Sequence, residues 1–478
     1  MENKIIKNYI YSNIYQLLIV ITPLITTPFL TRVMGAETLS INSWTANIVQ
    51  WFVLFGIMGI NNYGNREIGK VKDDSVKLSK TFLEIFIMQI ITVTISSIVY
   101  LIYVFILDGE YKIIMLLQGI TLLSVAFDIT WFFYGVGDLK KVTIRNSLVK
   151  IIGIILIFMF IRSGDDLVLF VLINTISAVL GQTIMYFELK KHIKLCKIRF
   201  KDIIRHIMPN VGLFIPQIAI SIYSVLDITM LGSLYTDIRH VNFYEQSVKL
   251  VKMFMFFVTS IGSVMISKIA HSHVNNKHEE IQQVLNKTFS LAIYLAIPMI
   301  IGITSVIGNF IVWFLPNEYY VVENMIIAIS PIILFISISN VYGIQFMVPT
   351  GLTKEYTRSV LAGAIINFII NLNLIPIYGA YGAIIGTVVA ECTVTTVQYF
   401  TIRNKLKIGI KFKSLIRILL ASILMYIVSV LIGLIGSNII INLMQAGFGV
   451  ITYLMVLFIM KDEFIMSLFK MIKRKGVK

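Results

Sequence analysis

The chain is poor in charge. Of its 478 residues only 14% are Asp, Glu, Lys or Arg, against about a quarter in an ordinary soluble protein. That is too little to cover the surface of a soluble protein of this length. Cysteine is scarce as well. Cys196 lies in a basic segment and Cys392 in an apolar run, on opposite sides of an expected span, so neither a disulfide framework nor a cysteine-based metal site is readable. No Walker A loop is present, so the chain does not itself hydrolyse ATP. The loops are short and no aqueous domain is inserted anywhere. This removes most enzyme readings, and neither a catalytic residue nor a cofactor is expected.

What the chain has is apolar length. It is 57% hydrophobic, with a mean hydropathy of +0.85. The apolar residues come in runs of about 20, enough to cross ~30 Å of hydrocarbon as helix. Fourteen spans are expected, at 9–31, 41–60, 82–107, 112–134, 146–162, 167–188, 208–231, 245–267, 289–315, 324–347, 359–377, 382–402, 416–436 and 438–460. The first run is long, carries polar residues and lacks a small-residue cleavage site, so it reads as a retained span rather than a signal peptide. The fold class is all-α, a polytopic membrane protein.

The formal net charge is +16. In a soluble protein that would suggest nucleic acid; here the placement of the charges argues against it. With the N-terminus inside, inner loops take 34 of the 41 basic residues. Outer loops take Arg32, Lys112, Arg162 and Arg239, and Lys150, Lys249 and Lys252 lie within spans. This is the positive-inside pattern, with both termini cytoplasmic. The densest inner run is Lys190, Lys191, Lys194, Lys197, Arg199, Lys201 and Arg205. It fits topology plus attraction to anionic membrane lipid, or recruitment of a cytoplasmic partner. The run also divides the chain into a six-helix lobe at 1–189, a basic linker at 190–207, a second six-helix lobe at 208–402, and two extra helices with a basic tail at 403–478. Ser79-Lys80-Thr81-Phe82 opens span three much as Asn286-Lys287-Thr288-Phe289 opens span nine, which suggests a parallel repeat. Repeats meeting at a central site are a common transporter build.

Within spans, information lies in polar side chains, because a charge at mid-bilayer costs at least ~2.5 kcal/mol. Glu245, Lys249, Lys252, Thr259 and Ser263 of span eight fall within about 40° of one line at 100° per residue. Glu245 and Lys249 can pair at i, i+4 and snorkel outward. Lys252 lies ~10 Å deeper than Glu245, so a lysine-lined, water-filled lumen is the competing reading. Span seven carries Asn210, Gln217, Ser221 and Ser224, with Asp227 at the edge; span one carries Gln16 and span two Asn47. Such lines either join helices or face a wet cavity between two V-shaped lobes. Asp128 and Lys150 form a structural pair or mark an inner gate or proton site. Glu391 is a lone acid and a candidate proton carrier, and Arg32 and Arg66 stand at the ends of spans one and two. Pro23, Pro28, Pro216, Pro298 and Pro331 allow bends. His271, His273 and His278 read as an exposed inner loop rather than a metal site.

Several stretches resemble a known group: Pro28-Phe-Leu-Thr-Arg32-Val-Met-Gly35, Gly56-Ile-Met-Gly59 through Gly64-Asn-Arg66-Glu-Ile-Gly69, Asp128-Ile-Thr-Trp131-Phe-Phe-Tyr-Gly135, and Asn367 through Pro376-Ile-Tyr-Gly379-Ala-Tyr-Gly382. With the six-plus-six-plus-two helix pattern, nearly the whole chain resembles the multidrug/oligosaccharidyl-lipid/polysaccharide exporter superfamily, and within it the Wzx-type polysaccharide flippases. The resemblance implies a cargo of undecaprenyl-diphosphate-linked oligosaccharide, made for capsule, exopolysaccharide or O-antigen and moved to the outer leaflet of a bacterial cytoplasmic membrane. Other polysaccharide assembly proteins are conceivable partners. In that frame Lys249, Lys252, Arg32, Gln217, Ser221, Asn47 and Gln16 are lumen candidates. Asp128, Lys150, Asp227, Glu391 and Arg66 are candidates for a gate or for coupling to protons or sodium. The rivals are a lipid II flippase, a multidrug cation antiporter, whose cavity should be acidic, and a membrane enzyme.

Overall fold

An apolar run of 20 or more residues leaves its backbone groups no water, so they must pair within the segment, and helix is the single-strand solution. The structure, a computed structural model, describes residues 2–107, 109–194, 196–406 and 408–467. Among them every regular element is helical. Ten helices are long and apolar enough to cross a membrane, or eleven when a pair bent by 42° is joined. The helices also expose apolar faces that water would not tolerate. On one side of the third helix Ile95, Ile98, Ile102, Phe105 and Ile106 are 53–77% exposed. A face of that kind suits lipid and not solvent, and the chain is a multi-pass membrane protein.

The chain forms two compact units, Met1–Gly232 and Ser233–Lys478. Unit one opens with α1 (Glu2–Ile57), whose helical path is broken at Gly35, where φ is 73°. A nine-residue outer loop was expected here. A single glycine suffices, because without Cβ it enters the left-handed region at little steric cost. Pro23 and Pro28 lie inside α1 without ending it. A second break at Met58–Gly59 sets off α2 (Ile60–Val71), an amphipathic helix that buries Ile60, Tyr63, Gly64 and Ile68. A Cβ on Gly64 would come within 2.4 Å of the Trp131 ring, so α2 can pack this closely only as glycine. α3 (Ser75–Leu107) is sewn to α1 by two hydroxyls. Thr92 Oγ1 donates to the Gly56 carbonyl and Ser96 Oγ to the Phe52 carbonyl, each at 2.6 Å.

The fourth span is not one rod. It runs as α4 (Lys112–Gln118), α5 (Ile120–Ala126) and α6 (Thr130–Gly135). α7 (Leu139–Phe160), α8 (Leu167–Leu189), the short α9 (Phe200–Ile204) and α10 (Ile207–Leu234) follow. Contacts assign α9 and nearly all of α10 to unit one. Trp51 Nε1 donates to Thr229 Oγ1 at 2.9 Å, and Gly232 lies against Trp44. The division therefore falls one helix beyond the basic linker.

Unit two contains α11 (Arg239–Val274), α12 (His278–Phe314), α13 (Val321–Ile329), α14 (Ile332–Ser339), a π-helical stretch Asn340–Met347, α15 (Thr353–Tyr378), α16 (Ala380–Ile402), α17 (Phe412–Gly433) and α18 (Ile439–Ile459). Pro331 stands at the bend between α13 and α14, as a residue lacking the N–H would. α15 and α16 make a tight hairpin about Gly379, with φ of 56°. Gly382 and Gly386 let α15 approach: Cβ atoms there would sit 2.5 Å from the Leu374 carbonyl oxygen and 2.1 Å from Asn371 Oδ1. Asp462, fully buried just past α18, receives the Tyr294 hydroxyl at 2.5 Å and faces Arg417 at 3.5 Å.

Candidate functional site

α11 has two unlike faces. One is packed inside unit two: Val241, Ser247 and Val251 are fully buried, and Leu250 nearly so. The other carries Glu245 and Lys249, half-buried, and Lys252, exposed. Lys249 and Lys252 are three residues apart and so share this face. Lys252 lies roughly 20 Å along the axis from Arg239, at 1.5 Å per residue. Among the described residues neither ammonium has a carboxylate partner. In the expected span eight, an ammonium at that distance from the end would not rest against lipid tails. This face of α11 can offer two cations to an anionic or strongly hydrated group. Thr259 and Ser263, expected to continue the stripe, lie outside the described side chains, as do Gln16, Gln217 and Ser221.

The broken fourth span gathers a second polar group. Between α5 and α6 the helical hydrogen-bond ladder is interrupted, and the Val125 carbonyl keeps only a turn donor, Asp128 N–H at 3.2 Å. Gln89 of α3 adds a donor: its Nε2 lies 2.7 Å from the Val125 oxygen and 2.9 Å from that of Asp128. Its Oε1 accepts from Trp131 Nε1 at 2.8 Å. Asp128 Oδ1 accepts from the Thr130 backbone N–H at 2.8 Å, so the carboxylate starts α6. Thr130 Oγ1 in turn accepts from Arg145 Nη2, and Gln182 Oε1 from Arg145 Nη1, each at 3.0 Å. Arg145 is buried, with the Asp128 charge within its electrostatic reach. Lys150, one of the expected partners, lies further along α7, half-buried and not free. Arrays of this kind hold a helix break open and neutralise it.

The other expected residues are dispersed. Arg32 is exposed and turns back on α1, its Nη1 donating to the Pro28 carbonyl at 2.8 Å. Asn47 is half-buried, with a buried Oδ1 that has no partner among the described residues. Arg66 is exposed on α2, paired with Glu67 at 3.0 Å. It stands on the amphipathic helix that follows the break at Met58–Gly59. Asp227 and Glu391 are both buried and both engaged. His273 and His278 line a cavity of about 660 Å³ together with Glu279 and Lys405, floored by Ile281 and Phe346.

The profile described as "Polysaccharide biosynthesis protein" matches residues 5–273. The chain belongs to this polysaccharide biosynthesis protein family. Over 415 residues it is 23% identical to the "Putative O-antigen transporter" of Escherichia coli (strain K12), covering 83% of this chain and 96% of that protein. Among solved structures, "Lipid II flippase MurJ, inward closed conformation" superposes with a TM-score of 0.77 at 17% identity, over 96% of this chain and 100% of that one. The inward-facing conformation of a multidrug resistance MATE family transporter of the MOP superfamily superposes with a TM-score of 0.58 at 12% identity, over 78% and 94%. At such identities the likeness is one of fold, and the fold is that of the MOP superfamily.

Several buried polar groups of this family member escape a reading of the sequence. Arg145 was counted among the topological cations of an inner loop, although it lies under two turns from Lys150. Gln89 is a lone amide in an apolar span, a signal that was available. Asn367 and Asn371 on α15 are both fully buried, with Asn371 Nδ2 3.2 Å from Asn367 Oδ1, and their i, i+4 spacing was readable too. Tyr244 and Thr387 hydroxyls meet at 2.9 Å beside them. Glu84, at the start of α3, is fully buried with Arg205 at 2.7 Å and His206 at 2.9 Å. Lys80 spans Glu84 at 3.7 Å and Asp202 at 3.1 Å. That hydrogen bond from Lys80 holds the Asp202 carboxyl below the usual carboxylate range.

Proposed function

We propose that this protein is a flippase that carries undecaprenyl-diphosphate-linked oligosaccharide repeat units from the inner to the outer leaflet of a bacterial cytoplasmic membrane, for surface polysaccharide assembly. The observation that carries the reading is the face of α11 on which Lys249 is half-buried and Lys252 exposed, neither paired with a carboxylate among the described residues. A diphosphate cannot enter hydrocarbon unaided, and ammonium groups bind and desolvate it. Neutral polar groups such as Asn47, with its open acceptor, suit a sugar. Transport proceeds by alternating access, with both termini on the cytoplasmic side. The match to the O-antigen transporter along most of both chains supports the same cargo class. An inside-negative potential already favours outward movement of an anion by ~2.3 kcal/mol per charge per 100 mV. Coupling to inward protons or sodium would add to it, through Asp227, Glu391 or Asp128.

The leaflet position of the lipid-linked repeat unit in cells depleted of the protein tests this. The repeat unit should collect on the inner leaflet while the peptidoglycan precursor moves normally. Outward delivery at the normal rate would end the reading. A second reading, transport of lipid II, is favoured by the fold likeness to MurJ and by 25% identity over 191 residues to the lipid II flippase MurJ of Bacillus subtilis (strain 168). It requires the opposite result in the same assay: inner-leaflet retention of the peptidoglycan precursor, with loss of viability.

A further inference from the structure

The segment joining α8 to α10 is fastened to unit one by a buried carboxylate. Glu84 on α3 is fully buried, and its Oε2 receives Arg205 Nη2 at 2.7 Å and lies 2.9 Å from His206 Nε2. The other ring nitrogen, His206 Nδ1, is 2.6 Å from the Tyr63 hydroxyl on α2. His206 and Tyr63 are themselves buried. Carboxylate, imidazole and phenol thus form one hydrogen-bonded chain from α3 through the linker to α2. Alongside it Ile203 of α9 enters the same core as Ile60, Tyr63 and Phe82.

Glu84 Oε1 is the exception in this chain. It is buried and accepts no hydrogen bond, with Lys80 Nζ no closer than 3.7 Å. A buried acceptor left open is costly. The charged and titratable groups around it are Lys80 on α3, Asp202 of α9, Arg205 and His206 in the turn before α10, and Tyr63, Arg66 and Glu67 on α2. We propose that Glu84, His206 and Tyr63 form a proton-accepting latch that holds the basic linker closed against α2 and α3 while Glu84 is ionised. A proton taken from cytoplasmic hydronium onto Oε1 turns that oxygen into a hydroxyl and removes the negative charge. Arg205, Lys80 and any charge on His206 are then left facing one another, and the linker swings free at Ile203. This concerns the linker alone and stands apart from the cargo assigned above.

The test is cysteine accessibility in the full-length protein. Ile203→Cys is introduced with Cys392→Ser, and native Cys196, exposed in the same segment, serves as the reference for reagent and pH. Labelling at position 203 relative to Cys196 is read by mass spectrometry. At neutral pH it should be slow with Glu84 present and at least about ten-fold faster in Glu84→Gln, which imitates the protonated acid and breaks a buried charge cluster. Acidification should raise the rate with Glu84 present and leave Glu84→Gln unchanged. Equal protection in the two proteins overturns the proposal, as does an acid response that survives in Glu84→Gln. Should Glu84→Gln fail to accumulate, His206→Gln and the acid response with Glu84 intact decide: absence of both effects overturns the latch.

Discussion

The broken fourth span and the exposed face of α11 treat charge in opposite ways. At the break, Arg145 is buried, but both terminal nitrogens donate to side chains and Asp128 is within electrostatic reach; only its Nε is left without a partner among the described residues. On α11, Lys249 is half-buried and Lys252 exposed, and among the described residues neither is paired with an acid. A charge that a protein buries and satisfies is part of its architecture. A charge kept in an apolar helix and left unanswered awaits something else. By this criterion Asp128 and Arg145 belong to a backbone break, and the lysines are the proposed cargo contacts.

The contrast can be broken by substitution. Arg145→Ala should have the largest effect, removing two charge-assisted hydrogen bonds and costing about 3 kcal/mol; thermal unfolding in detergent reads it, and transport should fall only with abundance. Gly64→Ala drives a methyl into Trp131, next to the same break, and should cost about 2 kcal/mol by overpacking. Lys252→Ala should do the converse, lowering transport about ten-fold, some 1.4 kcal/mol, with unfolding unchanged. Lys252→Arg should restore most of the flux if charge is what matters. Arg66→Ala, removing an exposed pair with Glu67, should change stability by no more than about 0.5 kcal/mol and leave transport intact.

The spans were legible because bilayer thickness sets their length and apolar runs reveal it. The charged face of α11 was legible too, since a helical period places Lys249 and Lys252 together whatever surrounds them. What could not be read was everything that depends on which helices touch. Gly35 gave no sign that one residue would replace a loop. The partner of Asp128 was sought among charges inside spans, which pointed to Lys150. The structure also brings Arg145 near it, whose position in a basic segment made it look like a topological charge. Glu84 drew no notice for a similar reason: an acid at a span's inner end is ordinary until the linker is seen folded onto it. That the residues after span two would form a separate amphipathic helix, α2, carrying Arg66, also depended on a break at Met58–Gly59 that the sequence did not announce.

The most direct test of the central claim is leaflet position of the lipid-linked repeat unit in cells whose only copy carries Lys249→Gln with Lys252→Gln at the wild-type level. Retention of the repeat unit on the inner leaflet, with the protein intact in the membrane, is the predicted result. Normal outward delivery by that variant would contradict it, and the uncovered lysine face would then have no part in moving the cargo.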